Sequence, residues 1–107
     1  MGSTWSIGGY RVALARNGEE SVAMAKALGP DLILLDLRMP TMSGTEALRV
    51  LRKDARFATT PILALTAHAL DNERIQALAD GFDQVVSKPC LPDQLVKIVE
   101  RYLPTIE

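Results

Sequence analysis

Asp31-Leu32-Ile33-Leu34-Leu35-Asp36 is the stretch that decides the fold. Four consecutive aliphatic side chains between two carboxylates leave no polar face. A strand built from them must be covered on both sides, as in a parallel sheet packed between helices. Upstream, Tyr10 to Arg16 alternates, with Val12 and Leu14 on one face, and reads as a second strand. Between the two, Asn17-Gly18-Glu19-Glu20 reads as a helix start, with Asn17 as cap and Glu20 at the third position of a capping box. Val22, Met24, Ala25 and Leu28 continue at helical spacing until Gly29-Pro30 stops the helix. Downstream, a loop with Pro40 and Gly44 leads to a short helix carrying Ala47, Leu48 and Leu51. Pro61 to Thr66 is an apolar strand, Asn72 to Asp80 a helix ended by Gly81, and Gln84 to Ser87 a brief strand. Pro92 opens the last helix, where Leu95, Ile98, Val99 and Tyr102 recur at i, i+3, i+4 and i+7. Four strand-helix units in strict alternation predict a parallel α/β sheet with helices on both faces.

The 107 residues suffice for one domain that buries roughly two thirds of its unfolded surface. A net charge of -1 supplies no basic field, so direct nucleic-acid binding is not expected. The longest apolar run is far too short to span a bilayer, and no membrane association or signal peptide is expected. The single cysteine, Cys90, has no internal disulfide partner, and a reducing cytoplasm is the expected compartment. Residues 1–9 are read as an N-terminal segment whose first few residues need not be native.

In an open parallel sheet, ligands sit beyond the carboxyl ends of the strands. Asp36, Thr66 and Lys88 fall at three such ends, each after an apolar strand and before a loop. A carboxylate there can attack phosphorus. A hydroxyl and an ammonium beside it can bond the oxygens of the transferred group. Singly, each has a plainer reading: a helix cap, a strand residue capping a turn, a solvated charge. Their conjunction on successive strands favours a phosphoryl site. His68 reads as a surface loop residue. Cys90 has no adjacent base and reads as a small apolar residue.

Asp36-Leu37-Arg38-Met39-Pro40 with Gly44, Thr66-Ala67 and Lys88-Pro89 together resemble the response-regulator receiver family. Thr66-Ala67-His68-Ala69-Leu70 is similar to the form found in receivers of hybrid histidine kinases. The resemblance runs from about Gly9 to Leu103, with residues 10–107 as the receiver domain. It implies a flavodoxin-like fold, and Asp36 as acceptor of a phosphoryl group from a histidine of a kinase or phosphotransfer protein. It also implies Thr66 and Lys88 as phosphate-sensing residues, and Pro40, Gly44, Ala67 and Pro89 as supporting loop positions. The expected chemistry is self-phosphorylation at most, not turnover of a substrate. The family's aromatic switch position falls on Val85, so aromatic gating is absent or altered.

The chain departs from the family at its front. The family's first strand ends in two adjacent acidic residues, followed by its first helix. Here about nine residues, none acidic, precede Tyr10, so that strand and most of that helix are lacking. Mg²⁺ needs several oxygen ligands. The resemblance leaves it only Asp36 and the backbone carbonyl of Arg38, a weak or incomplete site. The lost strand normally lies between those at Tyr10 and Asp31, so its loss would expose two apolar edges. The chain can collapse across the gap, recruit a strand from a second copy, or fill it with its own N-terminal residues. Gly8-Gly9 between two β-prone runs is a hairpin signal. The same residues also fit the end of the family's first helix. A homodimer is the expected outcome of unpaired edges.

Two other functions fit less well. A haloacid-dehalogenase-type phosphohydrolase needs a second Asp where Arg38 stands. A flavodoxin needs a hydroxyl- and Gly-rich phosphate loop after its first strand. The competing reading is a phosphorylation-independent interaction module built on the receiver fold.

Overall fold

The computed structural model describes residues 3–7, 9–16, 18–36, 44–66, 71–87 and 92–103. The elements run β1 (Ser3–Ile7), β2 (Tyr10–Ala15), α1 (Gly18–Leu28), β3 (Leu32–Asp36) and α2 (Gly44–Lys53). After a 3-10 turn (Ala55–Phe57) come β4 (Ile62–Thr66), α3 (Asp71–Asp80), β5 (Gln84–Ser87) and α4 (Pro92–Tyr102). The strands form one sheet in the order β1-β2-β3-β4-β5, antiparallel only between β1 and β2.

β3 is buried along its whole length, as its unbroken aliphatic run requires. Its alternate side chains feed two cores. Ile33 and Leu35 join Ala15, Ile62, Ala64 and Val85 under α1, α2 and α3. Leu32 and Leu34 join Val12, Leu63, Leu65 and Val86 against Leu95 and Val99 of α4. The two-sided architecture expected from the alternation is present, with three helices on one face and one on the other. Beside α4 runs an apolar groove of about 370 Å³, lined by Trp5, Ile7, Leu14, Leu34, Leu65 and Leu95 among others.

The front of the sheet corrects one expectation. The strands at Tyr10 and Asp31 do not expose two apolar edges. β2 pairs directly with β3 in parallel, Val12 beside Leu32 through Ala15 beside Leu35, and the gap is closed. The N-terminal residues do form a hairpin, but β1 lies on the outer side of β2 rather than between β2 and β3. The cause is local. Ile7 pairs with Tyr10, leaving a two-residue connection, and Gly9 takes φ +86°, as such tight turns require. A connection that short fixes β1 against β2, and α1 carries the chain over to β3 on the other side. The premise for a homodimer through those two edges is thereby removed.

Polar groups tie the amino ends of the strands. Arg11 N–H donates to the Asp31 carboxylate (2.8 Å), and Arg11 Nη1 donates to the Leu28 carbonyl (2.9 Å). Arg52 reaches from the last turn of α2 to donate to the carbonyls of Phe57 (2.9 Å) and Thr60 (2.6 Å) and to Asp83 (2.9 Å). The same Asp83 oxygen accepts from Ile62 N–H at 2.8 Å, which fixes the start of β4. At the end of α3, Gly81 adopts φ +116°. A Cβ there would stand 3.2 Å from Leu48 Cδ2, so conformation and space both select glycine.

Candidate functional site

Register places the site residues. Asp36, the last residue of β3, pairs with Leu65, one residue before Thr66 ends β4. Thr66 in turn pairs with Ser87, the last residue of β5. Asp36 and Thr66 therefore stand on adjacent strands at one carboxyl rim, as the sequence predicts. Asp36 is only 8% exposed and is one of the two buried polar residues among those described; Thr66 is half-buried. Such burial penalises a carboxylate unless it is engaged. Both residues carry interactions within the protein.

Val85, at the family's switch position, is buried under the three-helix face, where its small side chain completes the core. Gly44 is the first residue of α2. Lys88, with Arg38, Pro40, Ala67 and Pro89, lies outside the described residues, as do Asn17, His68 and Cys90. The predicted meeting of Lys88 with Asp36 falls there too.

Two rim residues were not singled out from the sequence. Ser87 faces Thr66 across the β4-β5 ladder. Arg16 follows Ala15, which pairs with Leu35, so Arg16 and Asp36 are the next neighbours along those two chains. Its backbone N–H donates to Glu20 Oε1 at 3.0 Å. The expected capping contact between Glu20 and Asn17 lies outside the described residues. Only the pairing of β2 with β3 exposes this neighbourhood, and neither strand's apolar pattern encodes it.

The fit of a divalent metal can be tested on these residues. Among the described residues no three His, Cys, Asp or Glu side chains are grouped so as to hold a metal ion. The strand beside Asp36 brings an arginine to the rim, not an acid. At the described strand ends Mg²⁺ would find one carboxylate, that of Asp36, and the other expected ligand position, Arg38, lies outside the described residues.

A mostly parallel sheet with helices on both faces, a buried aspartate at its carboxyl rim and a threonine ending the next strand places polar groups where open α/β sheets hold their ligands. The family model of the response regulator receiver domain matches residues 3–100, and the chain belongs to that family. It is 44% identical over 87 residues to hybrid signal transduction histidine kinase D of Dictyostelium discoideum, covering 81% of this chain and 6% of that one. It is 38% identical over 96 residues to response regulator Rre1 of a Synechocystis strain, covering 90% of this chain and 42% of that one. The chain thus spans less than half of either relative. The receiver domain of sensor histidine kinase PA1611 from Pseudomonas aeruginosa PAO1, crystallised with a magnesium ion in its active-site cleft, superposes with a TM-score of 0.72. That match has 36% identity over 89% of this chain and 78% of the other.

No helix among the described residues is long and apolar enough to cross a membrane.

Proposed function

We propose that this chain is a phosphoacceptor module of a cytoplasmic two-component relay. Asp36 accepts a phosphoryl group from a histidine of a kinase or phosphotransfer protein. The observation that carries the reading is the buried carboxylate of Asp36 at the carboxyl rim, with Thr66 ending the neighbouring strand. In the transfer, an Asp36 carboxylate oxygen attacks phosphorus and the P–N bond to the donor imidazole breaks. The imidazole keeps the electron pair and takes up a proton. The Thr66 hydroxyl and the Lys88 ammonium bond the arriving oxygens, while Pro40, Gly44, Ala67 and Pro89 shape the loops around them. With Val85 at the switch position, aromatic gating is absent or altered. The chain's own chemistry ends with its phosphorylation, and nucleic acid is not a direct ligand.

An arginine, not an acid, follows β2 beside Asp36, and this favours a second reading, a receiver fold that binds its partner without phosphorylation. Self-association can use the outer edges of the sheet, at β1 and at β5, and light scattering across a dilution series reads it out. Labelling with acetyl phosphate, followed by mass spectrometry of peptides, decides between the two main readings. Phosphate on the peptide containing Asp36 upholds the first. No label with any phosphodonor, while partner binding persists, leaves the second.

A further inference from the structure

We propose that Arg16 is the cation that meets the phosphoryl group at Asp36, taking the position where a divalent metal would otherwise offset its charge. The proposal rests on the reading of Asp36 as acceptor and names a residue that this reading does not contain. The first support is register. The β2-β3 ladder ends with Ala15 beside Leu35, so the next residue of each chain, Arg16 and Asp36, emerges side by side at the carboxyl rim. Parallel strands lie about 4.8 Å apart, well within the length of an arginine side chain. The second is the pleat. Ala15 and Leu35 belong to the core under α1, so Asp36 falls on the α4 face, and Arg16 stands in the bend one residue past the end of β2.

The state of Arg16 is the third support. It is exposed, its backbone N–H is held by Glu20, and among the described residues its guanidinium has no partner. At the other end of the sheet Arg11, Arg52 and Arg56 are all tied to carbonyls or carboxylates. The fourth is the donor set at the described strand ends, one carboxylate beside a guanidinium, which serves a divalent metal poorly. Chemistry agrees with geometry. A guanidinium presents paired donors that match two phosphoryl oxygens, and it needs no coordination sphere. Glu19 and Glu20, in the first turn of α1, are the acidic groups nearest in sequence; Glu20 is bound to the Arg16 backbone and so fixes the bend that carries the side chain. During transfer Arg16 bonds two of the peripheral oxygens while the P–N bond breaks, and no electron passes to or from it.

Two measurements on the whole chain in EDTA test this. In the first, inorganic phosphate is titrated while the Thr66 and Ser87 amide signals are followed by NMR. Wild type should show saturable binding, Arg16→Ala should weaken it about tenfold, and Arg16→Lys should retain part of it. Melting curves should coincide for all three, because Arg16 is exposed. In the second, acetyl phosphate should label wild-type Asp36 with little dependence on Mg²⁺. Arg16→Asp should lose labelling in EDTA and regain part of it with Mg²⁺, a reversal that a structural role could not produce. The assignment is overturned by wild-type phosphate binding absent in EDTA, by binding that Arg16→Ala leaves unchanged, or by labelling that requires Mg²⁺. Arg16-dependent phosphate binding without any labelling upholds the Arg16 assignment and rejects Asp36 as acceptor.

Discussion

The two rims of this sheet treat charge in opposite ways. Along the amino rim, charged side chains serve the backbone: Arg11 donates to the Leu28 carbonyl, Arg52 to the carbonyls of Phe57 and Thr60, and Asp83 accepts from Ile62 N–H. The two arginines satisfy carbonyls at a helix end and a connection, and Asp83 satisfies the N–H that opens β4. Along the carboxyl rim the order is Arg16, Asp36, Thr66 and Ser87, one from each successive chain. Here a carboxylate is buried and the neighbouring guanidinium meets no described partner. One rim is built for rigidity. The other presents an exposed guanidinium that an incoming anion can meet.

The contrast predicts that stability and phosphoryl chemistry can be separated by substitution. The largest effect is expected at Asp36. Asp36→Asn should abolish labelling by acetyl phosphate, because an amide is no nucleophile, yet leave a cooperative melt. Arg52→Ala should do the reverse. It leaves Asp83 without its cation and frees two or more carbonyls at the α2-β4 connection. A loss of roughly 2–3 kcal/mol follows, seen as a fall in Tm of about 10 °C or more. Labelling of the folded fraction should persist. If Arg52→Ala blocked labelling below its melting transition, the rims would be coupled and the separation would fail.

Much of this was legible in the sequence, and the reasons are particular. β3 was plain because four aliphatic residues between carboxylates allow few other structures. Helix α1 was bounded by Asn17-Gly18-Glu19-Glu20 on one side and Gly29-Pro30 on the other, and the structure places it at Gly18–Leu28. Asp36 and Thr66 were found because a polar residue ending an apolar strand is conspicuous. The partner of β2 was not legible, since an apolar strand fits beside any parallel neighbour and only closure of the sheet selects one. Arg16 was hidden for that reason. Arg52 was hidden because its partners at 57, 60 and 83 are brought together only by folding. The 3-10 turn at Ala55–Phe57 also escaped, although Asp54 ahead of it is a capping residue by type.

A smaller effect is expected at Tyr102, where α4 meets the start of β5. Its hydroxyl donates to Gln84 Oε1 at 2.7 Å. Tyr102→Phe should cost about 1 kcal/mol, read as a shift in the urea midpoint at unchanged slope. Burial pushes the Tyr102 hydroxyl pKa above its ordinary value of 10.0. The folded state therefore favours the protonated hydroxyl, and this contribution is present below pH 10.0 and lost as pH rises through the raised value. In Tyr102→Phe that alkaline loss should disappear, and an identical alkaline profile would remove Tyr102 from the account.

The smallest expected effect belongs to Asp54, on the amino rim, and its value lies in its sign. Asp54 accepts from Arg56 Nε at 3.2 Å, from Arg56 Nη2 at 2.8 Å and from Arg56 N–H at 3.0 Å. Hydrogen bonds from the Arg56 side chain, then from its backbone, hold the Asp54 pKa at about 2, below the ordinary 3.8. Because the folded value is depressed, the unfolded chain binds the proton first on acidification. The stabilisation is therefore whole above pH 3.8 and is lost as pH falls toward about 2. The group lies at the surface, partly open to solvent, so screening keeps the contribution small. Asp54→Asn separates the two roles of this carboxylate. An amide oxygen can still accept from Arg56 N–H and cap the turn, but it cannot titrate. The Tm difference between wild type and Asp54→Asn, measured at matched pH in low salt, should be constant above pH 3.8 and shrink as the pH approaches 2. Raising the salt should shrink it at every pH. A difference that grows on acidification would mean that the charge at Asp54 opposes the turn, and the amino rim would lose one of its purely structural charges.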